Sequence, residues 1–160
     1  MILDELGEFC DAASAILAVG NAIIGDVVDT GLLPTNFFDS NNRILNDLGN
    51  GEPILFVIQV TTTFVGATST TQFQLASDST ANLATSRTNH LTLGPYPVAT
   101  LVAGFTVAVY LPIEALYERF LGVWETVATA NVTAGAINAF LTKDLAKWRP
   151  YASALTQTGG

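Results

Sequence analysis

The apolar positions of this chain fall mostly in short runs, and several of those runs alternate. Residues 54–65, Ile54-Leu55-Phe56-Val57-Ile58-Gln59-Val60-Thr61-Thr62-Thr63-Phe64-Val65, follow the turn residues Asn50, Gly51 and Pro53 and are rich in β-branched and aromatic side chains. That composition behind a turn signal predicts a strand. Gln72-Phe73-Gln74-Leu75 alternates polar and apolar with a period of two, as a half-buried strand does. Residues 22–28, 120–127 and 136–141 add three more strand candidates. Many short strands separated by turns imply an antiparallel β-sandwich or barrel.

Two stretches complicate the pattern. Ile2, Leu6, Phe9, Cys10, Ala13, Ile16 and Leu17 recur at helical spacing, with Asp4, Glu5 and Glu8 placed early, where a helix dipole favours negative charge. Periodicity alone predicts an amphipathic helix over residues 2–17. Residues 88–113 contain no Asp, Glu, Lys or Arg, and the part from Tyr96 to Ile113 approaches the length of a membrane span. Gly94, Pro95, Pro97, Gly104 and Pro112 punctuate it, however, and its Val, Phe and Tyr residues favour strands. We therefore expect two buried strands with a break at Ala103-Gly104, and no membrane helix.

Residues 29–47 hold Gly31, Pro34 and an Asp39-Ser40-Asn41-Asn42 cluster and read as a long loop, in which Phe37 and Phe38 require burial against this domain or a neighbour. Residues 77–90, rich in Ser, Thr and Asn, read as a second long loop with a short turn at 80–85. The tail 148–160 begins Trp148-Arg149-Pro150-Tyr151 and ends in Gly159-Gly160. No repeat of 20 to 50 residues is visible, and the 160 residues suit one domain over 1–160.

Composition narrows the function. Half of the chain (49%) is hydrophobic and 12% charged, which argues against disorder. Six Lys and Arg against 14 Asp and Glu give a net charge of −8, and so few bases disfavour a nucleic-acid partner, whose phosphates must be neutralised. The imbalance is uneven: residues 1–80 carry ten acids and one base, and residues 81–160 four acids and five bases. If each half formed its own surface, the second, near Lys143, Lys147 and Arg149, would be the side that accepts an acidic partner.

Candidate chemistry is sparse. The single Cys10 cannot close an internal disulfide and reads as a small buried hydrophobe. With one Cys and one His (His90), a zinc site built from this chain is not expected, and the acid spacings match no calcium loop. Gly49-Asn50-Gly51-Glu52 lacks the Lys-Ser/Thr end of a phosphate loop and reads as a turn. His90 has no nucleophile near it in sequence, so a triad would have to be assembled by the fold. Glu114 and Glu118 read as a solvated face rather than an acid-base pair, and Trp124 as core rather than a sugar platform. The opening Met1-Ile2-Leu3-Asp4-Glu5 lacks the basic start of a secretory leader. No catalytic residue, metal or cofactor is expected.

Met1-Ile2-Leu3-Asp4, Phe9-Cys10-Asp11-Ala12, Leu48-Gly49-Asn50-Gly51-Glu52-Pro53, the run from Pro97 to Gly104, Glu118-Arg119-Phe120-Leu121, Thr133-Ala134-Gly135 and Arg149-Pro150-Tyr151-Ala152-Ser153 follow one another along the chain. In that order and rough spacing they resemble the capsid cement (decoration) proteins of tailed double-stranded-DNA bacteriophages. The resemblance implies a jelly-roll-like antiparallel β-sandwich with long loops and an extended C-terminal tail. It implies an extended N-terminal segment in place of the helix. The implied role is structural: binding the major capsid protein on the outer surface of the virion head and bridging capsomers as a homodimer or homotrimer, after synthesis in the host cytoplasm. The chain departs from the family at residues 29–47, which are longer, and at Ala154-Leu155. Phe37, Phe38, Lys147, Trp148, Arg149 and Tyr151 are the candidate capsid or subunit contacts, since aromatic and Arg anchors dominate interfaces. The alternative is a carbohydrate-binding β-sandwich on the virion surface.

Overall fold

The computed structural model describes residues 7–15, 18–30, 53–112 and 115–143. They form eight strands: β1 (Glu8–Ser14), β2 (Gly20–Asp29), β3 (Leu55–Gly66), β4 (Thr70–Asp78), β5 (Thr88–Pro97), β6 (Thr106–Tyr110), β7 (Phe120–Ala128) and β8 (Val132–Thr142). One sheet has the order β1-β8-β3-β6 and the other β2-β7-β4-β5, and every pairing is antiparallel. Each successive strand from β1 to β4, and from β5 to β8, crosses to the opposite sheet. This is the connectivity of a jelly roll, in which two sheets close over one core.

The core lies between the sheets, where Phe9, Phe56, Ile58, Val60 and Phe64 of the first sheet face Ile24, Phe73, Leu75, Leu121, Val123 and Val127 of the second. Phe64 and Phe73 meet edge to face across the layers at 6.2 Å, and Phe9 packs likewise on Phe56 at 6.0 Å. The run Leu55-Phe56-Val57-Ile58 is buried on both faces, which explains why it shows no alternation. Its outward members Leu55 and Val57 join Phe140 in a second buried row, with Ala108 beside them.

The predicted strands at 22–28, 54–65, 72–75, 120–127 and 136–141 are all present. Three expectations need correction. First, Glu8–Ser14 is a strand and not part of a helix. Its register slips between Glu8 and Cys10 and between Cys10 and Ala13, and Ala12 has a φ of 49°. Such bulges bury Phe9 and Cys10 side by side and stretch the apolar spacing from two towards that of a helix. Second, only Thr106–Tyr110 of the two strands expected from Tyr96 onwards is present, because Val98–Thr100 forms a 3-10 turn. Its companion lies upstream, at Thr88–Pro97, as an edge strand, the position that tolerates Pro95 and Pro97. Third, strands on both sides shorten the loop predicted for 77–90 to residues 79–87, with a single turn closed by Leu83 N–H to Thr80 C=O at 3.1 Å.

The registers also fix two unlike ends. The strand ends that bound connections 15–19, 67–69, 98–105 and 129–131 lie together at one, called here the turn end. The strand ends that bound connections 30–54, 79–87 and 111–119, with the start of β1 and the finish of β8, lie together at the other, the terminal end. Strands of the acidic first half alternate with strands of the second half in both sheets. The −9 and +1 halves of the sequence therefore do not become two sides of the molecule.

Candidate interaction surface

Charge concentrates at the terminal end, and Asp78 organises it. Fully buried at the last position of β4, its carboxylate accepts backbone N–H groups of Thr80 (2.9 Å), Thr85 (3.0 Å) and Ser86 (2.9 Å) and the Thr80 hydroxyl (3.1 Å). Burial pushes this carboxyl up, but the bonds from Ser86, Thr80 and Thr85 outweigh it and hold Asp78 below the ordinary carboxylate range. Loop 79–87 is thus wrapped around one anion. Its apolar tip Leu83 is buried against Gly122, where an added Cβ would lie 2.8 Å from Leu83 Cδ1 and 3.1 Å from Val27. The loop closes with Arg87, whose guanidinium lies 4.0 Å from the centre of the Trp124 ring.

Beside the loop, the fold brings His90 to a serine that the sequence left distant. Ser77 Oγ lies 2.7 Å from His90 Nε2 and accepts the Glu118 N–H at 3.0 Å. The His90 ring lies against that of Tyr117, the planes tilted by 40° and the centroids 4.2 Å apart. Burial pushes His90 down and pushes the Tyr117 phenol up to about 12; the Tyr117 hydroxyl has no hydrogen-bond partner among the described residues. Ser77 is fully buried, so this pair is a packed polar contact and not an exposed nucleophile with its base. Glu118, predicted on a solvated face, is buried and accepts the Ser86 hydroxyl at 3.3 Å.

Between the edge strands β1 and β2 runs an open groove of about 560 Å³ lined by Glu8, Asp11, Asp26 and Asp29, with Phe9-Cys10 and Val27-Val28 as its walls. The two edges touch at Gly25, whose φ of +77° and lack of a side chain let it approach β1; a Cβ there would meet Phe9 O at 2.4 Å. At the terminal mouth Arg119 donates Nε and Nη2 to the two Asp29 oxygens at 2.8 and 2.6 Å, a bidentate pair. Cys10 is buried as expected, its thiol pushed up to about 11 by desolvation.

The predicted contact residues Phe37, Phe38, Lys147, Trp148, Arg149 and Tyr151 lie outside the described residues, as does Glu114. Topology still constrains their attachment: the 30–54 connection and the chain beyond Thr142 both leave from the terminal end. Sequence reasoning missed Asp78, Ser77 and the Asp29–Arg119 pair. Only the first carried a local signal, since Asp78 followed by Ser79 and Thr80 is the composition of a side-chain-closed turn. The other two join residues 13 and 90 positions apart.

Among the described residues no group of three or more His, Cys, Asp or Glu is placed to hold a metal ion, and no helix is long and apolar enough to cross a membrane. No curated protein matches this chain. A family match does exist, to Bbp16, and it runs over residues 14–141, from the last position of β1 nearly to the end of β8. Covering most of the sequence and almost the whole sandwich, that match makes the chain a member of the Bbp16 family.

Proposed function

We propose that this protein is a structural cement protein of a phage capsid, which binds the major capsid protein on the outside of the head and bridges capsomers. One observation carries the reading: the two segments bearing the aromatic and basic candidates, 30–54 and 143–160, are both rooted at the same end of a jelly roll. A binding surface assembled from long segments on a hydrogen-bonded scaffold is how loops acquire recognition without loosening the domain. The described part of that end is fixed by Asp78 and by the Arg119–Asp29 pair, so its segments depart from a rigid base. A cement subunit stabilises the shell by binding the joined capsomers better than the separated ones. Modest single contacts suffice where an oligomer engages several sites at once.

The carbohydrate-binding alternative requires an open aromatic face beside polar groups. Trp124 does not offer one on the side where Arg87 lies over its ring. The cement reading is tested on particles: heads lacking this protein should rupture at lower temperature and on dilution into low osmolarity, and re-addition of the protein should restore them. Heads that resist both treatments equally well with and without it would overturn the reading.

A further inference from the structure

The row of Leu55, Val57 and Phe140 lies on the outside of the sandwich and is nevertheless buried. Phe56 and Ile58 point into the core, so Leu55 and Val57 point away from it. The register sets Phe140 and Ala108 on either side of Val57, and Thr142 and Tyr110 on either side of Leu55, all on the outer face of the first sheet. The second sheet closes only the inner face. Val57 and Phe140 are nonetheless 0% exposed and Leu55 and Thr142 are buried, whereas Tyr110, on the edge strand β6, is 61% exposed. Neighbours within a sheet leave the outward side of a side chain open to solvent. A further layer therefore lies over β8 and β3 and stops short of β6.

We infer that this layer is the chain's own C-terminal segment, residues 144–160, turned back over the outer face of the first sheet. Its origin fits, because β8 carries Phe140 and Thr142 of the row itself and the chain bends at Lys143, directly after it. About four residues make a chain reversal. Trp148, six residues beyond Thr142, is thus brought back level with the row. Its side chains fit as well, since Trp148 and Tyr151 are aromatic and such residues bury roughly 150–250 Å² each, enough to close a row two strands wide.

Charge separates this segment from the other candidates. Glu8 stands beside Phe140 in the register and borders the acidic groove between β1 and β2. Of the segments outside the described residues, 144–160 alone has more bases than acids, Lys147 and Arg149 against Asp144. Residues 1–6 and 31–52 are both net acidic, and Glu8 and the groove repel them. The inference concerns the isolated chain and stands apart from the cement reading. Any partner that grips Trp148 or Tyr151 has to lift them from this row.

The chain has two tryptophans, so Trp124→Phe leaves Trp148 as the sole fluorescent reporter in the full protein. In the folded protein its emission should be blue-shifted, and acrylamide should quench it several-fold less than in denaturing urea, at every protein concentration. Adding Val57→Ser to the outer row should abolish that protection while the circular dichroism spectrum keeps its β-sheet form. A second measurement leaves the sandwich unaltered: Trp148→Ser with Tyr151→Ser should raise the binding of an anilinonaphthalene sulfonate dye several-fold, and Phe37→Ser with Phe38→Ser should not. The inference is overturned by a Trp148 as accessible as in urea, by protection that Val57→Ser leaves intact, or by protection that appears only as concentration rises, which would make a second copy the source. Dye binding that follows the Phe37 and Phe38 pair would overturn it in favour of residues 31–52.

Discussion

The two ends of this sandwich solve the same problem with different chemistry. Both must satisfy the backbone groups of chain reversals outside the sheets. At the turn end this is done by neutral donors and acceptors, with Asn131 as the hub between the Val19 and Ser69 connections. At the terminal end it is done by a buried anion, with Asp78 holding three backbone N–H groups of one nine-residue loop. A neutral hub leaves the surface without charge and replaceable bond by bond. A buried carboxylate binds more strongly, but everything it organises fails together when it is removed.

The largest expected effect follows from that asymmetry. Asp78→Ala should cost about 3–4 kcal/mol, because it leaves several buried donors without an acceptor. Asn131→Ala, the corresponding change at the exposed turn end, should cost roughly 0.5–1.5 kcal/mol. Urea unfolding at neutral pH measures both. Equal costs would mean that the terminal end is not organised around its anion.

A second test replaces the apolar contact of each end. Leu83→Ala removes a buried side chain packed over Gly122 and should cost about 2–3 kcal/mol, whereas Val102→Ala removes an exposed side chain and should stay within about 0.5 kcal/mol. Leu83 has a φ of 48°, unusual for a residue of its type, so the loop pays a local strain that its packing must offset. If Leu83→Ala were as mild as Val102→Ala, the loop would rest on Asp78 alone.

These ends also mark how far the sequence could be read. Strands β3, β4, β7 and β8 were legible because each has at least one face in the core, and burial imposes a period of two or a continuous apolar run. Two of the edge strands, β1 and β5, were harder to read. In β1 the bulge at Ala12 erases the alternation, and in β5 exposure of much of the strand permits the Pro, Gly and polar residues that signal a loop. The charge asymmetry along the chain was real, but interleaved strands turned a difference between halves into a difference between ends. The Ser77–His90 contact illustrates the limit: neither residue has a local pattern, and their meeting depends on the bulge between the Leu75 and Ala76 pairings of β4 with β5.

That same contact supports the smallest prediction. His90 is surrounded by Ser77 of β4 and Tyr117 of the β6–β7 connection, next to Glu118, whose N–H also bonds Ser77. Burial lowers its pKa below the ordinary value of 6.5. As pH falls below 6.5 the unfolded chain therefore takes up a proton that the folded chain resists, and the stability present above that value is lost progressively down to the folded pKa. Asp78, held below the usual carboxylate range, loses its contribution only in more acidic solution. The substitution His90→Gln keeps a group able to bond Ser77 but cannot titrate. Between about pH 7 and 5.5, spanning the ordinary histidine value, the urea midpoint of the unaltered chain should fall further than that of His90→Gln. Parallel curves for the two proteins would place the origin of any pH sensitivity outside this contact, whereas divergence confined to that interval would assign it to the terminal end.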